Sequence, residues 1–307
     1  MGKTALLFPG QGAQKVGMAA DFVEKYPVAR ELFDRANETL GYDISRIVLS
    51  GPDEELTQTR YCQPAIYLAG AAITSVLESV GKLSRKDIDC TAGLSLGEYT
   101  ALYFAGVFTF EEGLSLVARR GEAMQEASDS PASGMVSLLG ADLEVATKVA
   151  AEAAGDDVLV VANLLSPGQV VLSGAMTACG RVPEIAKSHG IRRAIPLKVA
   201  GAFHSPLMSS AATKLKAVLD SMDLKDPAIP VAGNVTGAYM TRAAEIRDAL
   251  ERQVVEPVLW QNAMGTMIED GVETFVESGP GSVLSGLMRK IDRQKTCVSY
   301  DKVEDLD

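Results

Sequence analysis

The strongest constraint on how this chain folds is a repeated alternation of short apolar runs and amphipathic helical stretches. "TALLF" (4–8), "DCTAGL" (89–94), "IPVAGN" (229–234) and "TFVES" (274–278) have strand length. Helical patterns separate them: 18–40, with apolar positions such as Phe22, Val23, Leu32, Phe33 and Ala36, then 64–80, 96–105 and 111–127. Further helical patterns cover 206–221, 242–254, 258–270 and 282–291. Adjacent parallel strands need a long crossover, usually a helix, so this alternation predicts an α/β fold with a largely parallel sheet.

The texture changes once. "ASDSPASG" (127–134) reads as a linker. The order that follows is β-α-β-β-α-β: "MVSLLG" (135–140), a helix over 142–154, "VLVVANL" (158–164), "QVVLSG" (169–174), a helix over 175–189 and "RRAIPLKV" (192–199). "SPGQ" between the two middle strands favours a tight turn. This is the order of a ferredoxin-like unit. Residues 131–199 are therefore expected to be an insert in a larger α/β domain made of 1–130 plus 200–307. A cleft between the two is the expected ligand site.

A chain of 307 residues buries a sizeable core without disulfide or metal staples. Cys62, Cys90, Cys179 and Cys297 are scattered with no CxxC pair, so they read as small buried hydrophobes in a reducing compartment, and no metal site is expected. A net charge of −11 disfavours nucleic acid and anionic membrane as partners. No run approaches the ~18–20 apolar residues of a membrane span. The apolar stretch in "MGKTALLFPGQG" is too short for a signal-peptide core. A cytoplasmic location is expected, or the plastid stroma if a transit peptide has been removed.

"GLSLG" at 93–97 fits G-x-S-x-G. In a nucleophile elbow a strand ends, the chain turns sharply and the serine opens a helix, with the next N–H aimed at a developing oxyanion. Ser95 is either that nucleophile or a helix N-cap. A nucleophilic serine needs a base, and the chain has two histidines. His189, in "KSHG", reads as a helix C-terminal cap. His204, in "GAFHSP", follows a strand and is the candidate base; the other reading is an ordinary loop histidine. "FPGQG" follows the first strand, and its glycines let the backbone of Gln11 approach a ligand. Neither it nor "GPGSVL" completes a nucleotide-binding glycine pattern. "LVARRGEAMQ" places Arg119 and Arg120 on a packing helix. Both could be solvated, or one could point inward and hold a carboxylate in its fork.

"FPGQGAQ", "QPAIY", "GLSLGEYTAL", "RRGEAMQ", "SPGQVVLSG", "GAFHSPLM", "RQVVEPVLW" and "ESGPGSVLSGL" occur in this order. The set resembles the malonyl-CoA:acyl carrier protein transacylases of type II fatty acid synthesis, and the acyltransferase domains of polyketide synthases, over nearly the whole chain. The resemblance implies an α/β-hydrolase-like parallel-sheet core with an inserted ferredoxin-like subdomain. It implies ping-pong transfer of malonyl from CoA to a serine, then to the phosphopantetheine thiol of acyl carrier protein, with no cofactor. Carried over by position, it makes Ser95 the nucleophile and His204 the base and acid. It puts the N–H groups of Gln11 and Leu96 in the oxyanion hole and Arg120 on the malonyl carboxylate. Gln253 orients His204 through its main-chain carbonyl. Phe203 matches the malonyl-type signature and should disfavour methylmalonyl, and Asn163 and Gln63 match positions near the site. Most bacterial members carry histidine where this chain has Leu94. In a strand that residue points away from the serine's face, so Leu94 is expected to pack.

Three alternatives stay open on the sequence: a serine thioesterase or hydrolase, a non-catalytic carrier-binding module, and an acyltransferase of a polyketide pathway. A monomer is expected, with acyl carrier protein as a transient partner. Carrier proteins of these pathways are typically acidic. A local basic patch is therefore expected from some of Arg192, Arg193, Lys198, Lys214, Lys216, Arg289 and Lys290.

Overall fold

Lys3–Phe8 forms the strand β1, and its last four residues are buried. A nearly continuous apolar run is what a strand covered on both faces requires. In the computed structural model, which describes residues 2–129 and 131–307, β1 lies at the centre of a six-stranded sheet. Its other strands are β2 (Cys90–Gly93), β7 (Val231–Ala232), β8 (Tyr239–Met240), β9 (Val272–Ser278) and β10 (Thr296–Tyr300). The order is β10-β9-β1-β2-β7-β8, and every pair is parallel except the last. Side chains of β1 alternate between two cores. Leu6 and Phe8 join a large cluster with the helices Thr59–Ser79, Gly97–Phe104 and Phe110–Ser128. Ala5 and Leu7 join a smaller one with Trp260–Glu269 and Val283–Ile291.

The second sheet contains β3 (Ser133–Leu139), β4 (Leu159–Ser166), β5 (Gln169–Ala175) and β6 (Arg193–Pro196), in the order β4-β5-β3-β6. Every pair is antiparallel, and the helices Leu143–Ala154 and Met176–Ser188 pack on it around a separate core. That order and the β-α-β-β-α-β chain path are ferredoxin-like. Gly168, in the turn between β4 and β5, has φ of +74°.

Several expectations change. The helix expected over 18–40 is two, Ala20–Lys25 and Pro27–Leu40. Pro27 has no N–H to continue the first helix and instead opens the second. "RRAIPLKV" yields four ladder residues rather than eight. Helices Ile44–Ser50 and Asp53–Leu56 and the edge strand β10 are additional to the sequence reading. Cys62, Cys90 and Cys179 are buried as expected, whereas Cys297 is half-buried. His189 does end its helix, but its imidazole faces Glu152, with Nε2 at 2.9 Å from Oε1. Among the described residues no helix is long and apolar enough to cross a membrane.

Candidate active site

The carboxyl ends of β1, β2 and β7 converge, and each supplies a residue to one site: Gln11, Ser95 and Asn234. Ligands in open α/β sheets bind at such strand ends. Between β2 and the 97–104 helix the chain turns so sharply that Ser95 takes φ of +51°. This left-handed conformation is uncommon for a residue with a side chain and persists only where surrounding contacts enforce it. Here two glycines permit it. A Cβ on Gly97 would lie 2.1 Å from the carbonyl oxygen of Phe8, and one on Gly10 would lie 2.2 Å from that of Leu94. The loop after β1 thus rests directly on the elbow. Neither the N–H of Gln11 nor that of Leu96 donates to another group among the described residues. Both are available to a ligand oxygen.

Ser95 Oγ lies 2.8 Å from His204 Nε2. His204 Nδ1 lies 2.7 Å from the main-chain oxygen of Gln253. A carbonyl can only accept, so Nδ1 carries the proton and Nε2 presents its lone pair to the serine. His204 also has a positive φ, +59°, and its backbone N–H is held by the carbonyl of Val254 at 3.1 Å. Burial, with Arg120 nearby, pushes the imidazole down to about 4. At neutral pH it is an uncharged base.

Arg119 and Arg120 part company. Arg119 is exposed and pairs with Glu122 at 3.2 Å. Arg120 is 1% exposed. Its Nη1 donates to Gln63 Oε1 at 2.7 Å, and its Nη2 donates to Gln253 Oε1 at 3.0 Å and to Ser95 Oγ at 3.2 Å. The guanidinium carbon sits 5.2 Å from the centroid of the Tyr99 ring. All these oxygens are neutral, Nε has no partner, and Arg120 forms no ion pair among the described residues. Desolvation lowers its affinity for the proton. Glu98 acts on the guanidinium only through space and makes no hydrogen bond to it, so the fork itself favours an anion beside it.

A cavity of about 150 Å³ opens onto Ser95 and His204. Gly10, Gln11 and Asn163 are on its wall, with Met124, Val171, Phe203 and other apolar side chains around them. Leu94 packs against the smaller core, as expected, but it also lines this cavity.

The residues that the resemblance assigned to the site thus meet in one place, while Arg119 and His189 lie outside it. Ser95, His204, Gln253, Arg120 and Gln63 form one hydrogen-bonded network; Gln11, Phe203 and Asn163 line the cavity beside it. Two residues of the network were not anticipated. Asn234 Oδ1 accepts the N–H of Ser95 at 2.6 Å, and its Nδ2 donates to the carbonyl of Gly93 at 2.7 Å, which clamps the elbow from both sides. Glu98, fully buried, accepts the N–H of Asn234 at 3.0 Å and the side-chain amide of Gln253. The available signals were a loop asparagine at a strand end and one carboxylate in an otherwise apolar helix. Among the described residues no group of three or more His, Cys, Asp or Glu side chains is placed to hold a metal ion.

Known proteins resemble this chain over nearly its whole length. The acyl transferase domain family matches residues 5–303. The chain belongs to that family. It is 42% identical to the malonyl CoA-acyl carrier protein transacylase of Bacillus subtilis, over 100% of this chain and 96% of that protein. Among solved structures, an acyl carrier protein S-malonyltransferase from Vibrio cholerae superposes with a TM-score of 0.94 at 40% identity, over 99% of each chain. A malonyl-transacylase solved in complex with its type II PKS acyl-carrier protein superposes with a TM-score of 0.94 at 38% identity, over 99% of this chain and 97% of that one.

Proposed function

We propose that this acyltransferase moves a malonyl group from malonyl-CoA to the phosphopantetheine thiol of an acyl carrier protein, through a malonyl ester on Ser95. Ser95 Oγ attacks the thioester carbonyl while its proton passes to His204 Nε2. The oxyanion is received by the free N–H groups of Gln11 and Leu96. Collapse breaks the C–S bond, and the CoA thiolate leaves with the proton from His204. The carrier thiol then runs the same steps in reverse, restoring the Ser95 hydroxyl. Gln253 holds His204 in the required tautomer through its carbonyl. No cofactor enters any step. The two thioesters are nearly equal in energy, so the task is positioning the acyl group and excluding water. The apolar cavity wall suits the second part.

The observation that carries the substrate assignment is Arg120, buried and 3.2 Å from Ser95 Oγ. A malonyl carboxylate supplies a charged partner bonded directly to the guanidinium, whereas an acetyl group leaves it with neutral hydrogen-bond partners only. Phe203, on the cavity wall, disfavours a methyl branch on the acyl α-carbon, and Asn163 and Gln63 contact the acyl group or support Arg120. A serine hydrolase would have no use for such a cation, and a non-catalytic carrier-binding module would not need Ser95, His204 and free N–H donors together. Arg120→Ala tests the assignment. Malonyl transfer is expected to fall about 100-fold more than acetyl transfer; equal losses for both would remove the carboxylate clamp.

The domain division expected from the sequence, residues 131–199 inserted between 1–130 and 200–307, suits this reading. It lets loops of both units face one cleft. The seven basic residues expected to form the carrier-docking patch differ in how far their charge is paired. Lys214 pairs with Glu126 and Lys216 with Glu251, whereas Lys290 and Arg289 donate only to the neutral Gln169 and Ser285, and Lys198 forms no ion pair among the described residues. Arg192 and Arg193 form no ion pair among the described residues and line an open groove of about 740 Å³ with Lys187. That groove is the proposed contact for an acidic carrier. The chain is proposed to act as a monomer in the cytoplasm. A polyketide-pathway carrier is a second reading, favoured by the likeness to the transacylase solved with a type II PKS acyl-carrier protein. Comparing transfer rates to the two kinds of carrier separates them.

A further inference from the structure

The helix that follows Ser95 carries a carboxylate that none of the transfer steps uses. Glu98 lies in its first turn with no exposed surface. Its Oε1 takes the N–H of Asn234 at 3.0 Å, and its Oε2 takes the amide of Gln253. Both partners reach the reacting groups. Asn234 holds the backbone N–H of Ser95. Gln253 touches three of them at once. Its main-chain oxygen holds His204 Nδ1, its Oε1 accepts from Arg120 at 3.0 Å, and its Nε2 donates to the carbonyl of Ser95 at 2.9 Å.

The Gln253 amide has two possible orientations, and its neighbours allow one. Arg120 can only donate, and an ionised Glu98 can only accept. Turning the amide over would set NH₂ against the guanidinium and oxygen against the carboxylate. We propose that Glu98 is a positioning residue for acyl transfer: ionised, it fixes the Gln253 amide and Asn234, and through them the Arg120 guanidinium and the Ser95 elbow. This rests on the reading of the site as a malonyl transferase.

Protonation loosens the arrangement. A protonated Glu98 offers a weaker, neutral acceptor and an O–H that competes with the Gln253 amide hydrogens, so the amide is no longer held in one orientation against Arg120. Burial raises the Glu98 carboxyl to about 7, against the pull of Asn234, Gln253 and Arg120. The charged or titratable groups facing it are Arg120, from the 110–128 helix, and Tyr99, on its own helix. His204 stands on the far side of Gln253. The loop after β7 and the end of the 243–253 helix contribute amides only.

Glu98→Gln keeps the shape but has one acceptor for two donors, so its NH₂ opposes either the Gln253 amide or the N–H of Asn234. The measurement is the rate of Ser95 malonylation by malonyl-CoA, without carrier, across pH. The wild-type rate is expected to rise as pH rises through about 7, where Glu98 ionises. Glu98→Gln is expected to be about 10- to 100-fold slower above that pH. It should also lose the limb near neutrality and keep only the one set by His204 near 4. A merely structural role would lower the rate without deleting an ionisation. A Glu98→Gln enzyme with the wild-type rate, or with the neutral limb intact, overturns the proposal while the transferase reading stands. Should that variant not fold, a wild-type rate that is flat through neutrality overturns it equally. A wild-type enzyme that takes no malonyl at any pH removes both readings.

Discussion

At the scale of single residues, one position separates a solvated arginine from the group that selects the substrate. Gly113, Val117, Arg120, Met124 and Ala127 recur at helical spacing and all are buried. Glu112, Ser115, Arg119, Glu122 and Glu126 mark the opposite, polar stripe. Arg120 is thus the one charge on the apolar face; the residues alone leave open which of Arg119 and Arg120 turns inward, and the observed helix decides it. The identity of its partners is not legible in the sequence either. Gln63 and Gln253 are 57 and 133 residues away, and only the fold brings them together. Asn234→Ala tests the clamp on the elbow. It removes the acceptor for the Ser95 N–H, and malonylation is expected to slow about 10-fold or more with the carrier step equally affected. Unchanged steady-state rates would show that the elbow holds itself.

At the scale of elements, the site is built by close approach of backbones. The 97–104 helix can start where it does because Gly93 and Gly97 admit the neighbouring chain. Gly97→Ala would drive a methyl group into the carbonyl of Phe8, a main-chain atom that cannot swing aside. The expected cost is at least about 2 kcal/mol in denaturant unfolding, at the upper end for overpacking; a loss below 0.5 kcal/mol, the usual surface range, would contradict this. Most of the elements were legible from periodicity, and the failures have local causes. Pro27 divides a pattern whose apolar spacing runs straight across it. Strand β10, "TCVSY", lies at the sheet edge with mixed burial and lacks the continuous apolar signal of β1. Strand β7 falls inside the expected "IPVAGN" strand but keeps only two ladder residues, and β8, also with two, is too short to register as a pattern.

At the scale of the whole molecule, two sheets meet over one cleft and burial tunes the charges in it. Glu98, raised to about 7 from 4.5, binds its proton more tightly when folded, so its contribution to stability is full below pH 4.5 and is lost as pH rises through about 7. Glu98→Gln should therefore gain stability relative to wild type across that window, even as it loses rate. Parallel chemical denaturation of the two proteins at several pH values measures the difference; a constant difference would contradict it. The net charge of −11 conceals the unpaired Arg192 and Arg193. Carrier affinity should fall with added salt and fall further in Arg192→Ala and Arg193→Ala, read by titration at two ionic strengths, and an affinity independent of salt would dismiss the groove. The central claim is that a malonyl group is carried covalently on Ser95, and intact mass measurement after mixing with malonyl-CoA alone tests it most directly. One malonyl group on the wild-type chain and none on Ser95→Ala is the expected result; an unmodified wild-type chain, or equal modification of Ser95→Ala, would contradict it.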